Sequence, residues 1–342
     1  MPERFLRVYM DVNNKCNLRC RMCYFHLDLT KEQNVVMGRP LFDKIAAQIF
    51  PKAASLNLSC SAEPLLVPGF PAYVKTAKSF GVPYVLIVTN AMLLTEKISS
   101  ELMESGLDQI DVSIDAATKA TYESIRKGGD FERVIGNVRK LQALKKRAGR
   151  DNPSLFLDYT LMKSTIRELP DFLRIAADLG ADSVRANFMI PFKRLDIMDE
   201  SLSKCPAETN EILDKARAAA LELGLNAAIP QNIENAEQSG NTVVNKPSCR
   251  VPFESLYVIS DGRVLPCTWF SMKEWQAGDM KSGSFDDIWS GPVYTELRKR
   301  FEEGSYTPYC LNCPVYGNEA RGGYVFTERS RDDVLNICPQ GV

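Results

Sequence analysis

Short apolar runs rich in β-branched residues alternate with helix-like segments from the start of the chain to Gly224. The pattern predicts strands at Phe5–Met10, Ser55–Ser59, Tyr84–Val88, Gln109–Ile114, Leu155–Leu161 and Ser183–Phe188. It predicts helices near Leu41–Phe50, Pro68–Phe80, Thr95–Ser105, Phe131–Arg147 and Ile166–Leu179. This alternation indicates βαβ units and a parallel sheet, and six such units fit an α/β fold with a partial, TIM-like (β/α)6 barrel. Side chains that do chemistry in such barrels lie at the carboxyl ends of the strands.

The remainder of the chain has a weaker pattern and is organised by its cysteines. A predicted helix at Ala216–Leu223 ends at Gly224, where glycine suits a helix C-cap. Residues 228–247 are rich in Asn, Gln, Pro and Gly with little periodicity, which predicts a connector or extended loop. We therefore predict three regions: a partial barrel at 1–227, a connector at 228–247 and a small cysteine-rich domain at 248–342.

The composition is that of an ordinary globular protein. Of the 342 residues, 45% are hydrophobic and 25% charged, with a formal net charge of −1. This balance predicts neither a nucleic-acid partner nor an anionic membrane surface as a partner. No run of about 18 apolar residues is present, and the first four residues, Met-Pro-Glu-Arg, lack the features of a signal peptide. We therefore expect no membrane association and a cytoplasmic location.

Ten cysteines in a chain from a reducing compartment indicate metal ligands or reactive thiols rather than disulfides. They fall into two groups, with only Cys60 and Cys205 between them. The first group is Cys16, Cys20 and Cys23, and the second is Cys249, Cys267, Cys310, Cys313 and Cys338. This segregation predicts two metal-bearing regions.

The first group has the spacing C-x3-C-x2-C and directly follows the first predicted strand. Three thiolates can hold three irons of a cubane [4Fe–4S] cluster, which leaves the fourth iron free to bind a cofactor or substrate. A zinc site is the alternative, but zinc sites usually bring two C-x2-C pairs or a Cys/His mixture. The chain has a single histidine, His26, so the pattern favours the cluster.

This motif after a first strand resembles that of the radical S-adenosylmethionine (SAM) superfamily, although Met22 stands where the family often has an aromatic residue. The resemblance implies that the open iron chelates SAM and that one electron cleaves SAM to a 5′-deoxyadenosyl radical. It also implies an external one-electron donor such as flavodoxin or ferredoxin. The cofactors would then carry the hard chemistry while the protein aims it.

Further motifs after successive strands resemble the SAM-binding segments of this superfamily. Residues 61–64, Ser-Ala-Glu-Pro, stand for the family's Gly-Gly-Glu-Pro, and Thr-Asn-Ala at 89–91 is similar to its Thr-Asn-Gly turn. By this resemblance the cofactor-binding candidates are Glu63, Asn90, Ser113, Asp115 and Arg126. Glu63 would face the methionyl amine, Ser113 the ribose and Arg126 the carboxylate. The alternatives are an exposed loop glutamate, polar residues that end a buried strand, and an arginine on a solvated helix end.

The second cysteine group resembles the C-terminal extension of the SPASM/Twitch radical SAM enzymes. Its spacing is C-x12-G-x4-C followed by C-x2-C, and the resemblance implies that Cys249, Cys267, Cys310 and Cys313 ligate one auxiliary [4Fe–4S] cluster. Glu319 and Gly323 stand where a full SPASM domain would place further cysteines, so the pattern is Twitch-like, with a single auxiliary cluster. A structural zinc held by the same thiolates is the alternative.

Four hypotheses for the activity follow. The first is dehydrogenation of an alcohol or amine in a small molecule such as a sugar, an aminocyclitol or a modified amino acid, with the auxiliary cluster as electron acceptor. The second is epimerisation with a thiol as hydrogen-atom donor, for which Cys338, Cys60 and Cys205 are the unassigned candidates. The third is peptide maturation, which is less expected because little chain precedes Cys16 for a leader-binding domain. The fourth is a non-catalytic metal-binding or electron-transfer protein.

Overall fold

One eleven-stranded sheet forms the centre of the molecule in the computed structural model, which describes residues 4–23, 25, 35–190, 195–233, 249–268, 275–311 and 324–326. Eight strands run parallel in the order β10-β1-β3-β4-β5-β7-β8-β9, and β11, β12 and β13 add antiparallel strands at the two edges. The sheet strands are β1 Leu6–Met10, β3 Ala53–Asn57, β4 Tyr84–Thr89, β5 Gln109–Ser113, β7 Ser154–Leu161, β8 Ser183–Phe188, β9 Ala227–Pro230, β10 Ser255–Val258, β11 Arg263–Leu265, β12 Gly278–Asp279 and β13 Tyr324–Phe326.

The helices between these strands connect neighbours in the parallel sheet, as the alternating sequence pattern predicts. They are α1 Arg39–Ile49, α2 Pro71–Ser79, α3 Glu96–Ser105, α4 Lys119–Ile125, α5 Phe131–Ala148, α6 Leu169–Asp178 and α7 Pro206–Glu222. Their ends follow local chemistry: the Thr95 and Asp130 side chains cap α3 and α5, and left-handed Gly106 and Gly149 terminate them. Every predicted strand and helix is confirmed, and the partial (β/α)6 barrel is the observed core.

The structure also contains elements that the sequence pattern did not predict. Helix α4 is only seven residues long, too short for a clear period, and its start is marked by the Thr118 cap. Strand β9 pairs in parallel with β8, so residues 228–230 of the predicted connector belong to the sheet. The connector prediction is therefore wrong at its first three residues, where Ala227–Pro230 is wholly buried. Residues 234–247 of the connector lie outside the described residues.

The C-terminal part continues the same sheet. Strand β10 pairs in parallel with β1, and β11 and β12 extend that edge. Its helices are α8 Val251–Glu254, α9 Phe285–Trp289, α10 Pro292–Glu303 and α11 Pro308–Leu311. Leu256, Val258 and Val264 belong to the same buried apolar cluster as Leu6 and Val8 of β1. The two parts of the chain thus share one core.

None of the helices in the described part of the chain combines the length and the apolar character needed to cross a bilayer.

Candidate active site

The carboxyl ends of the parallel strands open into one pocket with about 1110 Å³ of empty space, its open mouth included. Its walls combine thiols, carboxylates, amides and apolar side chains. They are Cys16, Leu18, Cys20, Met22, Cys23, Ser59, Cys60, Ser61, Ala62, Glu63, Val88, Thr89, Asn90, Ser113, Asp115, Arg126, Asp158, Tyr159, Thr160, Asn187, Phe188, Met189 and Ile190.

A small two-stranded sheet holds the loop that carries the first three cysteines. Strand β2 (Arg19–Cys20) pairs with β6 (Arg126–Lys127), and Cys20 lies opposite Arg126. The backbone N–H of Arg21 donates to the Ile125 carbonyl at 2.9 Å, next to this pairing. This sheet was not predicted from the sequence, because it joins residues more than a hundred positions apart. It brings Arg126 to the cysteine loop.

The three thiols lie in a half-buried environment that contains few hydrogen-bond donors. Cys16 Sγ accepts from the Leu18 N–H at 3.4 Å and from Asn90 Nδ2 at 3.8 Å, and Cys20 Sγ lies 4.0 Å from Arg126 Nη1. Burial raises the pKa of Cys16 and Cys23, and it raises that of Cys20 to about 12. Since iron binds thiolates, cluster assembly at this site must release protons.

Glu63 is fully enclosed rather than exposed on a loop. Its Oε1 accepts from the Leu65 N–H at 3.2 Å and from the Thr89 hydroxyl at 2.7 Å, while Oε2 accepts from the Asn90 N–H at 2.8 Å. Its own N–H donates to the Lys15 carbonyl at 2.8 Å, which fixes it to the cysteine loop. Burial raises the pKa of Glu63 to about 7, although these hydrogen bonds oppose the shift. A cationic group in the pocket would favour its ionised form.

Asp115 and Arg126 form a buried ion pair at the same pocket. The Arg126 Nε donates to Asp115 Oδ2 at 2.8 Å, and the other Asp115 oxygen accepts from the Thr160 N–H at 2.6 Å. Strand β5 ends at Ser113, and Asp115 lies beyond the strand with a left-handed φ of 66°. Ser113 and Asp115 nevertheless both line the pocket.

Arg126 is therefore not on a solvated helix end, because its residue exposure is only 8%. The acidic partner raises its pKa against the effect of burial. The contact of Arg126 with the SAM carboxylate stays a prediction. Asp115 is the residue that holds the Arg126 guanidinium in place.

A second charged network lies between three neighbouring strands. Arg185 on β8 is bound by Asp158 on β7, from Nε to Oδ1 at 2.9 Å, and by Asp111 on β5 at 2.5 Å. Burial raises the pKa of Asp111 to about 6, while Arg185 opposes that shift. The contacts of Arg185 with Asp111 and Asp158 were not predicted, because strand alternation does not show which side chains meet across a sheet. Asp158 and Asn187 turn toward the pocket.

The other predicted site residues divide by where they lie. Cys60 lines the pocket, while Cys205 lies at the start of α7. Cys249, Cys267 and Cys310 lie in the C-terminal part, and Cys313 and Cys338 lie outside the described residues. The assignment of Cys249, Cys267, Cys310 and Cys313 to an auxiliary cluster stays a prediction.

Two family models match the chain in the regions where the structure places these features. The model of the radical SAM superfamily matches residues 10–189, and the model of an iron–sulfur cluster-binding domain, SPASM, matches residues 249–314. The chain belongs to the radical SAM superfamily and carries a SPASM domain. Its cofactors are accordingly SAM and [4Fe–4S] clusters, one of them auxiliary.

Individual relatives agree with this assignment. The chain is 26% identical over 332 residues to a tungsten-containing aldehyde ferredoxin oxidoreductase cofactor-modifying protein of Pyrococcus furiosus, which covers 90% of this chain and 87% of that protein. It is 25% identical over 340 residues to an AdoMet-dependent heme synthase of Methanosarcina barkeri, covering 92% of each. The SAM-bound structure of Streptococcus suis SuiB superposes with a TM-score of 0.68 at 14% identity, covering 91% of this chain and 71% of that one. That likeness shows the shared fold.

The residues of the pocket fit these cofactors. Three thiols from one loop line the pocket, so each can bind a different iron of one cubane cluster. Among the described residues, no three thiol, imidazole or carboxylate groups converge on a single point as ligands of one metal ion would. Polar groups suited to an amino acid and a ribose, Glu63, Asn90 and Ser113, line the same pocket.

Proposed function

We propose that the protein is a radical SAM oxidoreductase that dehydrogenates an alcohol or amine of a small molecule and passes the second electron to the auxiliary cluster. One observation carries the proposal: the cysteine loop, Glu63, Asn90 and Ser113 line a single pocket in a chain with a SPASM domain. SAM and the cluster together supply a 5′-deoxyadenosyl radical that removes a hydrogen atom from the substrate. An external one-electron donor such as flavodoxin or ferredoxin is part of the proposal.

The protein's own residues would hold and orient these groups. Cys16, Cys20 and Cys23 would hold three irons, and Glu63 would bind the methionyl ammonium. Asn90 would fix both the Glu63 carboxylate, through its N–H, and the Cys16 thiolate, through its side-chain amide. Such positioning of reacting groups contributes much of the barrier lowering that enzymes achieve.

Asp158 is our candidate for the proton acceptor on the substrate side of the pocket. Among the described residues, the other two carboxylates that line the pocket are Glu63 and Asp115. Both already accept hydrogen bonds in the part of the site assigned to SAM, Glu63 from Thr89 and Asp115 from Arg126. The ion pair with Arg185 fixes the Asp158 side chain in place, whereas Arg185 itself is a permanently charged partner and unsuited to act as a base.

The substrate class can be extended by the relatives that align over most of the chain. Both of the relatives named above are described as acting on or making a protein cofactor. A second candidate is therefore oxidation of a cofactor precursor such as a tetrapyrrole, by the same hydrogen-atom abstraction and electron loss.

Product analysis in D2O tests the proposal. The reduced, reconstituted protein is incubated with SAM and panels of aminocyclitols, amino sugars, peptides and iron tetrapyrroles. We expect 5′-deoxyadenosine together with a product two hydrogens lighter and free of solvent deuterium. Deuterium at an inverted carbon would instead support epimerisation with Cys60, Cys205 or Cys338 as donor. Turnover of peptides alone would support peptide maturation.

A protein that released no 5′-deoxyadenosine under any of these conditions would contradict the enzymatic proposal. In that case the non-catalytic hypothesis would gain, since SAM cleavage is common to every enzymatic alternative.

A further inference from the structure

Asp11, the residue directly after β1, is a buried carboxylate that joins three separate segments of the chain. Only 4% of the residue is exposed. Its backbone N–H donates to the Val258 carbonyl of β10 at 2.9 Å. Its Oδ1 accepts from the N–H groups of Cys60 at 2.7 Å and of Ser61 at 3.1 Å. The loop after β3 is thereby tied to the end of β1.

The second oxygen of Asp11 receives two hydroxyl groups. The Ser61 and Tyr257 hydroxyls both donate to Oδ2 and lie 3.0 Å from each other. Tyr257 lies on β10, opposite Tyr9 of β1, within the part of the chain that matches the SPASM model. A residue of the iron–sulfur domain is thus linked through one carboxylate to the loop at 59–63.

That loop forms one wall of the pocket, whereas Asp11 and Tyr257 are not among its lining residues. Ser59, Cys60, Ser61, Ala62 and Glu63 are among the lining residues. Any displacement of the loop backbone would move Glu63, whose carboxylate depends on hydrogen bonds from Thr89 and Asn90.

The four donors to the Asp11 carboxylate are all uncharged, and burial raises the pKa of Asp11. A buried carboxylate needs its full set of hydrogen bonds, because an unsatisfied or unpaired charge is expensive. Loss of one donor should therefore weaken the remaining hydrogen bonds to the Asp11 carboxylate. The resemblance places a glycine at position 61, where this chain has a serine. The Ser61 hydroxyl is one of the four donors to Asp11, a contact that glycine could not make.

We propose that Asp11, Ser61 and Tyr257 form a positioning triad through which the iron–sulfur domain fixes the SAM-binding loop. The inference rests on the assignment of SAM to the pocket. Tyr257 is the positioning residue from the SPASM domain, and it acts through Asp11 on the backbone of Cys60 and Ser61 without contact with SAM itself. SAM affinity therefore depends on the C-terminal domain.

The test compares two tyrosine variants of the full chain after anaerobic reconstitution. Tyr257→Phe removes the hydroxyl that donates to Asp11. Tyr294→Phe is the matched control, because the Tyr294 hydroxyl is also buried and donates to β10, at the Ser255 carbonyl at 3.0 Å, but takes no part in the triad. Equilibrium dialysis gives the dissociation constant of SAM, and iron is counted in every sample.

We expect Tyr257→Phe to weaken SAM binding about 2- to 10-fold, the range that corresponds to one net hydrogen bond, with iron per chain unchanged. Ser61→Ala should weaken it similarly. The double variant should lose less than the sum of the two, because both hydroxyls serve one oxygen. The SAM-induced change in the EPR spectrum of the reduced first cluster should require correspondingly more SAM in both single variants.

Three results would overturn the triad. They are unchanged SAM affinity in both Tyr257→Phe and Ser61→Ala, an equal loss in Tyr294→Phe, and a loss of affinity that merely tracks a loss of iron. A wild-type protein that binds no SAM would be a different failure, since it would remove the proposed function and with it the basis of the triad.

Discussion

The Arg126 guanidinium and the Asp115 carboxylate form a buried ion pair, with a shortest N···O distance of 2.5 Å and side-chain exposures of 9% and 1%. Arg126 also lies opposite Cys20 in the small sheet that holds the cysteine loop. The pair therefore connects strand β5 to the loop that would carry the first cluster. Its role is both structural and electrostatic, since it places a fixed positive charge beside the thiols.

Removal of one partner should destabilise the protein strongly. Arg126→Gln leaves Asp115 as an unpaired buried charge, and we expect the free energy of unfolding to fall by about 3–5 kcal/mol. Denaturant unfolding of the anaerobic protein measures this. Arg139→Gln is the control, because its pair with Asp178 is exposed at 60% and 68% and should contribute about 0–1 kcal/mol.

The double variant Arg126→Gln/Asp115→Asn should recover part of the loss, because no charge is then left unpaired. Equal losses in the free energy of unfolding for Arg126→Gln and Arg139→Gln would show that the buried pair contributes no more to stability than the exposed pair.

SAM binding should strengthen as pH rises through the titration of Glu63. Burial raises the pKa of this carboxyl to about 7, so it is mostly neutral at pH 6 and mostly ionised at pH 8. If only the ionised form binds the methionyl ammonium, the apparent affinity should rise about tenfold over this range. Equilibrium dialysis at several pH values measures the effect.

The control for this prediction is Glu63→Gln, which cannot ionise. Its SAM affinity should be weak and should change little between pH 6 and pH 8. The same pH dependence in wild type and Glu63→Gln would assign the titration to another group.

The Asn90 side chain should tune the reduction potential of the first cluster. Its Nδ2 lies 3.8 Å from Cys16 Sγ, and a donor to a cluster thiolate stabilises the more negative, reduced form. Asn90→Leu should therefore lower the potential by about 40 mV, which corresponds to about 1 kcal/mol for one electron. An EPR-monitored redox titration of the SAM-responsive signal checks this.

Asn137→Leu serves as the control for the potential, because the Asn137 side chain donates to the Ala91 carbonyl at 2.8 Å and has no thiol partner among its described contacts. A shift of the same size in both variants would indicate a general loosening of the site and would remove the specific role of the Asn90 amide.

The sequence predicted the parts of this molecule that depend on local pattern. Apolar runs and helix periods gave the βαβ units, and the C-x3-C-x2-C spacing identified the cysteine loop because its ligands are close in sequence. Glu63 and Asn90 were found because the motifs that contain them, in the loops after the second and third predicted strands, resemble SAM-binding segments of the superfamily. Such residues must lie at one edge, whatever the details of packing.

Several of the missed features depend on contacts between distant residues. Cys20 and Arg126 are 106 positions apart, and Asp11 and Tyr257 are 246 apart. No local period records such pairs. Strand β9 was missed for a different reason: its four residues, Ala-Ala-Ile-Pro, are too few for an alternation and end in a proline. The left-handed turn at Asp115 likewise has no glycine to mark it.

The most direct test of the two-cluster radical SAM account is the amount of iron and sulfide per chain after anaerobic reconstitution. Wild type is compared with the Cys16/Cys20/Cys23→Ala triple variant. We predict about eight irons per chain in wild type and about four in the variant, as thiolate counting for two [4Fe–4S] clusters requires. The variant should also form no 5′-deoxyadenosine. A variant that kept no iron, or that kept zinc in place of iron, would contradict an independent auxiliary cluster and would remove the electron acceptor on which dehydrogenation depends.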